Sequence, residues 1–195
     1  MKNIVIFHEG KSIDKDFFKL LITDLGENSN KVEFYGMGTK SNFFKRDNIN
    51  YENLLLEIDE IDKILFIIDS DYETEKKYGG YKNTLREINK IQVELNIDDI
   101  SDTFIAYDKN TEMKEGYLES LILSSLTDEQ DACIKSFLEK CPEFKGKNNH
   151  KSIFNVIYKN AYPNKPFNFE HEHFDELKKK LKNLFSSSLS IHQNS

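Results

Sequence analysis

The sequence predicts an α/β protein in which a four-stranded, mainly parallel sheet is followed by a C-terminal helical extension. Two observations lead to this class. Over the first part of the 195-residue chain, four short apolar runs alternate with segments of helical periodicity, as repeated strand–helix units do. After Asp108 the strand signal stops and helical patterns follow one another. We therefore predict an α/β domain (1–110), a helical extension packed on it (111–185) and a flexible tail (186–195).

The four apolar runs are the predicted strands. The first and third are almost continuously apolar, which is typical of central strands covered by helices on both faces. In the second run Lys31 and Glu33 alternate with apolar residues, so we expect this strand at the periphery of the sheet. The runs are NIVIF (3–7), KVEFY (31–35), KILFII (63–68) and TFIAY (103–107).

Segments of helical periodicity connect the strands and fill the extension. Three of them lie between consecutive strands, so each connection between strands contains a crossover helix. Four more form the extension, where Thr127 and Gln130 have the spacing of a capping box. The predicted helices cover residues 13–25, 51–61, 83–95, 115–126, 127–141, 150–162 and 174–185.

Composition and charge limit the classes of function. With 38% hydrophobic and 31% charged residues, the chain has the composition of a globular protein. No apolar run approaches the roughly 20 residues of a membrane helix, and the N-terminal MKNIVIF meets HEGK too early for a signal peptide. We therefore expect a cytoplasmic protein with no membrane partner. A net charge of -7 disfavours binding nucleic acid through overall charge, so such a substrate needs a local basic patch or bound cations.

Acidic residues follow the first and third predicted strands. Ligands of open parallel sheets bind outside the carboxyl ends of the strands, where the first strand delivers Glu9 and the third delivers Asp69 and Asp71. Side chains at i and i+2 of an extended strand point to one side, about 6 to 7 Å apart. Two or three such acids are enough for Mg²⁺ or Mn²⁺, which keep several waters and take oxygen ligands from substrate phosphate.

An Asp-x-Asp sequence after a strand is also typical of a turn in which the Asp side chains bond backbone amides. Glu9 favours the metal site, because like charges at neighbouring strand ends are unfavourable unless a cation or a proton neutralises them. Glu119 begins an otherwise apolar helix and is a further candidate ligand, with a helix-surface glutamate as the alternative. His8 and His150 are expected to be isolated from other metal ligands, and the HEH sequence at 171–173 is expected to be a solvated helix cap.

Four residues are candidates for binding phosphate. Gly10 permits close approach of the backbone directly after Glu9. The loop after the second strand offers free amides and a lysine, although its spacing is not that of a P-loop, and an ordinary turn is the alternative. Its candidate residues are Gly38, Lys40 and Ser41.

Together these residues resemble the Toprim domain, the catalytic module of topoisomerases and DnaG-type primases that recurs in OLD-family nucleases. The segments that carry the resemblance are IVIFHEGKSIDKDFF, YGMGTKSNFF and ILFIIDSDYE, within about residues 3–108. The segment GYLESLIL and the helices after it are similar to a group of small stand-alone Toprim-like proteins of bacteria.

The resemblance implies a small Rossmann-like sheet and a set of roles. Glu9 would be the general acid or base, Asp69 and Asp71 would hold Mg²⁺ or Mn²⁺, and Glu119 would be a further ligand. Asp14 would match the aspartate that follows Glu-Gly in the family, but EGKSID is one residue longer than the common spacing, which leaves Asp16 as the alternative.

The function expected from the resemblance is metal-dependent phosphodiester chemistry on nucleic acid, DNA rather than RNA, most simply cleavage by a nuclease. The sequence contains no tyrosine nucleophile domain, primase zinc module or ATPase domain, which argues against strand passage and primer synthesis. The helical extension would contact a protein partner, and the oligomeric state is open.

Two other functions compete with a nuclease. One is a metal- or nucleotide-binding regulatory module without turnover. The other is a phosphatase of the haloacid dehalogenase type, which also has Asp-x-Asp after an apolar strand. That family places the motif on its first strand, however, with Thr or Val next, whereas here it follows the third strand and precedes Tyr72.

Overall fold

Four parallel strands form one sheet in a computed structural model that describes residues 3–10, 12–74, 77–144, 149–163 and 167–186. The predicted tail lies outside these residues from 187 onward. The parallel sheet with flanking helices and a C-terminal helical part confirms the predicted fold class. The strands are β1 (Ile4–His8), β2 (Val32–Gly36), β3 (Lys63–Asp69) and β4 (Ser101–Ala106).

The strand order is β2-β1-β3-β4, so β1 and β3 are central, as predicted. Ile6 of β1 lies level with Phe34 of β2 on one side and Leu65 of β3 on the other. The chain runs from β1 outward to β2 and then returns to the other side of β1 to begin β3. This reversal creates a topological switch point at the carboxyl ends of β1 and β3, where parallel sheets of this kind bind ligands.

The helices agree with the predicted segments to within a few residues at most ends. Those of the sheet region are α1 (Ser12–Asp24), α2 (Lys40–Phe43), α3 (Ile49–Leu56) and α4 (Tyr81–Glu94). Those of the extension are α5 (Leu118–Leu123), α6 (Asp128–Lys140), α7 (Asn149–Ser152), a π-helix (Ile153–Tyr158), α8 (Lys159–Ala161) and α9 (Asp175–Phe185). Short 3-10 helices cover Ser29–Lys31, Ile58–Glu60, Asp98–Ile100, Pro142–Phe144 and Glu172–Phe174.

The capping box predicted for α6 is present. Thr127 Oγ1 accepts a hydrogen bond from Gln130 N at 3.3 Å, and Gln130 Oε1 accepts one from Thr127 N at 3.1 Å. Each bond satisfies a backbone N–H that has no partner within the helix. The helix therefore begins where the sequence places it.

Two apolar cores cover the two faces of the sheet, because successive side chains of a strand point to opposite faces. On one face, Phe7 stacks between Tyr35 and Phe66, with ring centroids 5.2 and 5.1 Å away, beneath α3 and α4. On the other face, α1 and helices of the extension share one core with the strands. Buried members of that core include Ile6, Leu65, Phe17, Leu121, Phe154, Phe174 and Leu181.

Because the core is shared, packing of the extension stabilises the sheet. Full burial of one large apolar side chain stabilises a fold by about 1.5–3 kcal/mol, and Phe154, Phe174 and Leu181 are all at most 1% exposed. The extension also covers the carboxyl edge of β3, since α5 begins beside it. Within the described part of the chain, we find no helix with the length and apolar character needed to cross a membrane.

Candidate metal centre at the carboxyl ends of the central strands

The switch point brings together an acid from each central strand. Glu9 is the first residue after β1 and is half-buried, and Asp69 is the last residue of β3 and is buried. Asp69 Oδ1 accepts a hydrogen bond from the backbone N of Leu118 at 2.8 Å. The first residue of α5 thus fixes the carboxylate of Asp69 and places Glu119, the next residue, at the same site.

Asp14 joins the site from the first turn of α1. Gly10 N donates a hydrogen bond to Asp14 Oδ2 at 2.7 Å, and a Cβ atom at Gly10 would lie 2.3 Å from that carboxylate. Only glycine therefore fits at this position without displacing Asp14. Asp16, the alternative left open by the sequence, is exposed.

The four carboxylates of Glu9, Asp14, Asp69 and Glu119, here called the acid cluster, act on one another electrostatically. Burial raises the pKa of Asp69 well above its ordinary value, and the negative charges of Glu9, Glu119 and Asp14 raise it further. Burial also raises the pKa of Asp14, which the hydrogen bond from Gly10 lowers and the charge of Glu119 raises. Such a cluster attracts a cation, a proton or both.

Asp71 does not continue the extended strand. Its φ is 56°, in the left-handed region, and it pairs with Gly116 in an isolated bridge, with Asp71 N donating to Gly116 O at 2.8 Å. The expectation that Asp69 and Asp71 project from one side of a strand at i and i+2 is therefore wrong. Asp is one of the few residues that adopt this conformation, because its short side chain is tolerated there. The Asp71 carboxylate is 1% exposed and faces Lys40.

Ser70 fixes the turn between the two aspartates. Its N–H donates to Ala106 O at 2.8 Å and its Oγ to Lys114 O at 2.6 Å. Its carbonyl accepts from Gly80 N at 2.9 Å and from Lys40 Nζ at 2.6 Å. Every polar group of this buried residue has a partner, so the segment that carries the aspartates is held rigidly.

Lys40, which follows β2, reaches the site. It is 3% exposed, and its Nζ lies 3.5 Å from Asp71 Oδ2 as well as beside the Ser70 carbonyl. Burial lowers the pKa of Lys40, whereas Asp71, Glu9 and Asp69 raise it through their charges. The other two phosphate-binding candidates of this loop, Gly38 and Ser41, are exposed, and Ser41 Oγ lies 3.1 Å from Thr39 Oγ1.

Lys151 of α7 is a site residue that sequence reasoning missed. Burial alone would lower the pKa of Lys151, but the charges of Asp69, Glu119, Glu9 and Asp71 outweigh it, so the pKa is raised. Its Nζ lies 4.3 Å from the centre of the Tyr117 ring. No local pattern connects the NNHKSIF segment to the sheet edge, because α7 reaches it only through tertiary packing.

The histidines differ from one another. His150 lies among hydroxyl groups, with its Nδ1 2.8 Å from Ser120 Oγ and 3.4 Å from Tyr72 Oη. His8 is 1% exposed between the rings of Phe18 and Phe34, and burial lowers its pKa to about 4. At 171–173, the predicted cap is confirmed, since His171 accepts a hydrogen bond from the backbone of His173.

Oxygen ligands at the site suit a hard divalent cation. Across the ranges that the structure describes, no group of three or more His, Cys, Asp or Glu side chains is arranged so that it could hold a metal ion. Mg²⁺ needs fewer protein ligands, since one or two carboxylates hold it together with waters and substrate phosphates. Glu9 and Asp69 are the pair that the two central strands supply.

The chain matches neither a protein-family model, nor a curated protein, nor a solved structure. The resemblance to the Toprim domain stays a prediction. The fold and the site define an α/β protein with an acidic site at its topological switch point.

Proposed function

We propose that the protein carries out metal-dependent phosphodiester chemistry on nucleic acid, as a nuclease that uses Mg²⁺ or Mn²⁺. The observation that supports this proposal best is the meeting of Glu9 and Asp69 at the switch point, with Asp14 and Glu119 close enough to shift the pKa of Asp69. Concentrated negative charge at a ligand-binding edge is unfavourable without a cation, which is the situation that metal-dependent phosphoryl chemistry uses.

Glu9 and Asp69 would hold the ion, waters and substrate phosphate would complete its coordination, and Glu119 would add negative charge beside it. A bound ion would supply an activated water and stabilise negative charge on the attacked phosphate. Leu118 N occupies Oδ1 of Asp69, which leaves Oδ2 as the oxygen for an ion. Glu9 would take or return a proton at its carboxylate during the reaction.

Lys40 and Lys151 have different roles in the proposed reaction. Lys40 holds the Ser70 carbonyl and faces Asp71, so its role is to position the turn that carries both aspartates. Lys151 is half-buried among the carboxylates and is the cation that would contact a substrate phosphate. A chain with a net charge of -7 needs such local positive charge to bind nucleic acid.

The partners follow from the same proposal. DNA is expected in preference to RNA on the strength of the resemblance alone. The extension exposes Phe137 and Val156, at 39% and 53%, and these are apolar groups that a protein partner would cover.

The direct test is cleavage of labelled single- and double-stranded DNA and RNA with Mg²⁺, with Mn²⁺ and with a chelator. We expect cleavage that the chelator abolishes and that falls more than about 100-fold in Asp69→Asn, beyond the roughly 10–100-fold typical of residues that only support a metal ligand. Asp16→Asn, an exposed change of the same chemistry, is the matched control and should retain activity. Cleavage by Asp69→Asn at the wild-type rate would refute the assignment.

A second candidate is a metal- or nucleotide-binding module without turnover. It is favoured by Lys40 and Lys151, which neutralise part of the negative charge within the protein itself. Calorimetry separates the two. Mn²⁺ binding that is lost in the double variant Asp69→Ala/Asp71→Ala, with no hydrolysis of any DNA or RNA tested, would support the binding module.

A further inference from the structure

A cavity of about 200 Å³ lies between the helical extension and the segment that follows β4, which contributes Asp108 and Asn110 to its wall. This is several times the roughly 30 Å³ that one water occupies in the liquid and less than the roughly 300–1,000 Å³ of pockets for drug-sized ligands. One planar ring system is of a suitable size. Part of its wall is aliphatic, with side chains from α5, α6 and the π-helix, namely Leu123, Leu126, Ile134, Leu138 and Ile153. Polar side chains form the rest of the wall, and they include the ion pair of Asp131 and Lys135 on α6.

One end of the cavity is polar. Ser120 Oγ lies 2.8 Å from His150 Nδ1, and His150 Nε2 lies 3.8 Å from Asp108 Oδ2, which is too long for a hydrogen bond. When Ser120 donates to Nδ1, the proton of the neutral imidazole is on Nε2. In that tautomer an N–H donor and a carboxylate acceptor line the same end of the cavity with no hydrogen bond between them. Ser120 also accepts from Tyr117 N at 3.1 Å and is 1% exposed, so it supports His150.

The polar end and the acid cluster are linked through two helices. Ser120 follows Glu119 in α5, and His150 precedes Lys151 in α7. Adjacent residues of a helix point about 100° apart. Each helix thus contributes one residue to the acid cluster or its lysine and the neighbouring residue to the cavity. The cavity and the acid cluster are therefore one residue apart along each of these two helices.

We propose that this cavity takes one nucleobase of the substrate strand, next to the phosphodiester on which the acid cluster acts. The inference rests on the proposed function. The aliphatic walls cover the faces of the ring, and His150 Nε2–H and Asp108 Oδ2 bind its edge, since nucleobases carry donors and acceptors there. A base reaches such a cavity only when it is unstacked, so the substrate is single-stranded or has an extruded nucleotide.

The test uses NMR to measure binding of each of the four free deoxynucleosides to the protein. We expect at least one of them to bind with a Kd of about 1 mM and to shift the signals of His150 and Leu138. Leu138→Trp fills the cavity and should weaken binding at least about tenfold. Glu139→Trp, at the neighbouring exposed residue of α6 that does not line the cavity, should leave binding unchanged. Asp108→Asn keeps the volume, alters the polar end, and should also weaken binding.

The readout does not depend on cleavage, so the two proposals fail separately. Metal-dependent cleavage without any nucleoside-induced shift at about 10 mM, well above the expected Kd, would overturn the base site and leave the nuclease assignment intact. Nucleoside binding without cleavage of any nucleic acid would instead contradict the proposed nuclease function. Indole, a ring without a comparable polar edge, must bind more weakly than the best nucleoside. Equal binding of indole would show an unspecific apolar cavity and overturn the base site.

Discussion

The backbone N–H of Gly10 donates a hydrogen bond to the carboxylate of Asp14 at 2.7 Å, and that carboxylate occupies the space of a Cβ atom at Gly10. The end of β1 and the start of α1 are joined by this contact. It holds Glu9 at the switch point, because Glu9 immediately precedes Gly10. The Glu-Gly pair of the sequence is therefore a packing requirement as well as a motif.

Gly10→Ala should destabilise the protein by about 1–3 kcal/mol, the usual effect of forcing extra atoms into a packed position. Urea unfolding measures this change. The double variant Gly10→Ala/Asp14→Ala removes the clashing carboxylate and should recover part of the loss, so the two effects should not add. A Gly10→Ala protein as stable as the wild type would show that the contact with Asp14 is not close in solution.

Lys40→Met should destabilise the protein by about 3 kcal/mol or more, because removing one member of a buried ion pair leaves a buried charge uncompensated. Lys40 and Asp71 are 3% and 1% exposed, so solvent screens this pair little. Lys45→Met, an exposed change in the same segment, is the control and should alter the free energy of unfolding by less than about 0.5 kcal/mol. Equal stability of the two variants would contradict the positioning role of Lys40.

Glu119→Gln should lower the pKa of Asp69, measured by NMR of its carboxyl group, since it removes one of the negative charges that raise that pKa. The same change should weaken Mn²⁺ binding, measured by calorimetry, because it removes a carboxylate from the acid cluster. Glu129→Gln, in the first turn of α6, is the control for a change of net charge. A Glu119→Gln protein with an unchanged pKa of Asp69 and unchanged metal affinity would place Glu119 outside the site.

Acid should destabilise the protein through His8. Burial lowers the pKa of His8 to about 4, from an ordinary value of 6.5. A group with a lower pKa in the folded state binds its proton more readily when unfolded, so its contribution to stability is complete above about pH 6.5 and declines as the pH falls toward 4. Between pH 7 and pH 5 we expect a loss of about 2 kcal/mol from this residue.

The comparison that isolates this effect is the wild type against His8→Phe, by urea unfolding at both pH values. The raised pKa of Asp69 acts in the opposite direction, because protonation of a carboxyl whose pKa is raised in the folded state adds stability as the pH falls. Both proteins keep Asp69, so its contribution cancels in the difference. An identical pH dependence in the two proteins would mean that His8 is not buried as a neutral ring.

Local patterns in the sequence predicted most of the fold. The unbroken apolar runs of β1 and β3 indicated central strands, and Thr127 with Gln130 indicated the start of α6, because periodicity and capping depend on neighbouring residues. Glu9 and Asp69 were predicted at one edge because the carboxyl ends of parallel strands meet there. These inferences needed no knowledge of distant contacts.

The rest of the site depends on contacts between remote segments. Asp71 leaves the extended conformation because it pairs with Gly116, and Lys40 is buried because the Ser70 carbonyl and Asp71 receive its ammonium group. His150 and Lys151 reach the site through the packing of the extension on the sheet. No spacing within one segment encodes these contacts, so sequence reasoning could neither place Asp71 correctly nor find Lys151.

The most direct test of the metal centre is the anomalous diffraction of Mn²⁺ in crystals soaked with it. We predict an anomalous peak bound by the carboxylates of Glu9 and Asp69, and no such peak in crystals of Asp69→Asn treated in the same way. Wild-type crystals without a peak at this position at high Mn²⁺ concentration, with the two carboxylates pointing apart, would contradict the assignment of a metal centre.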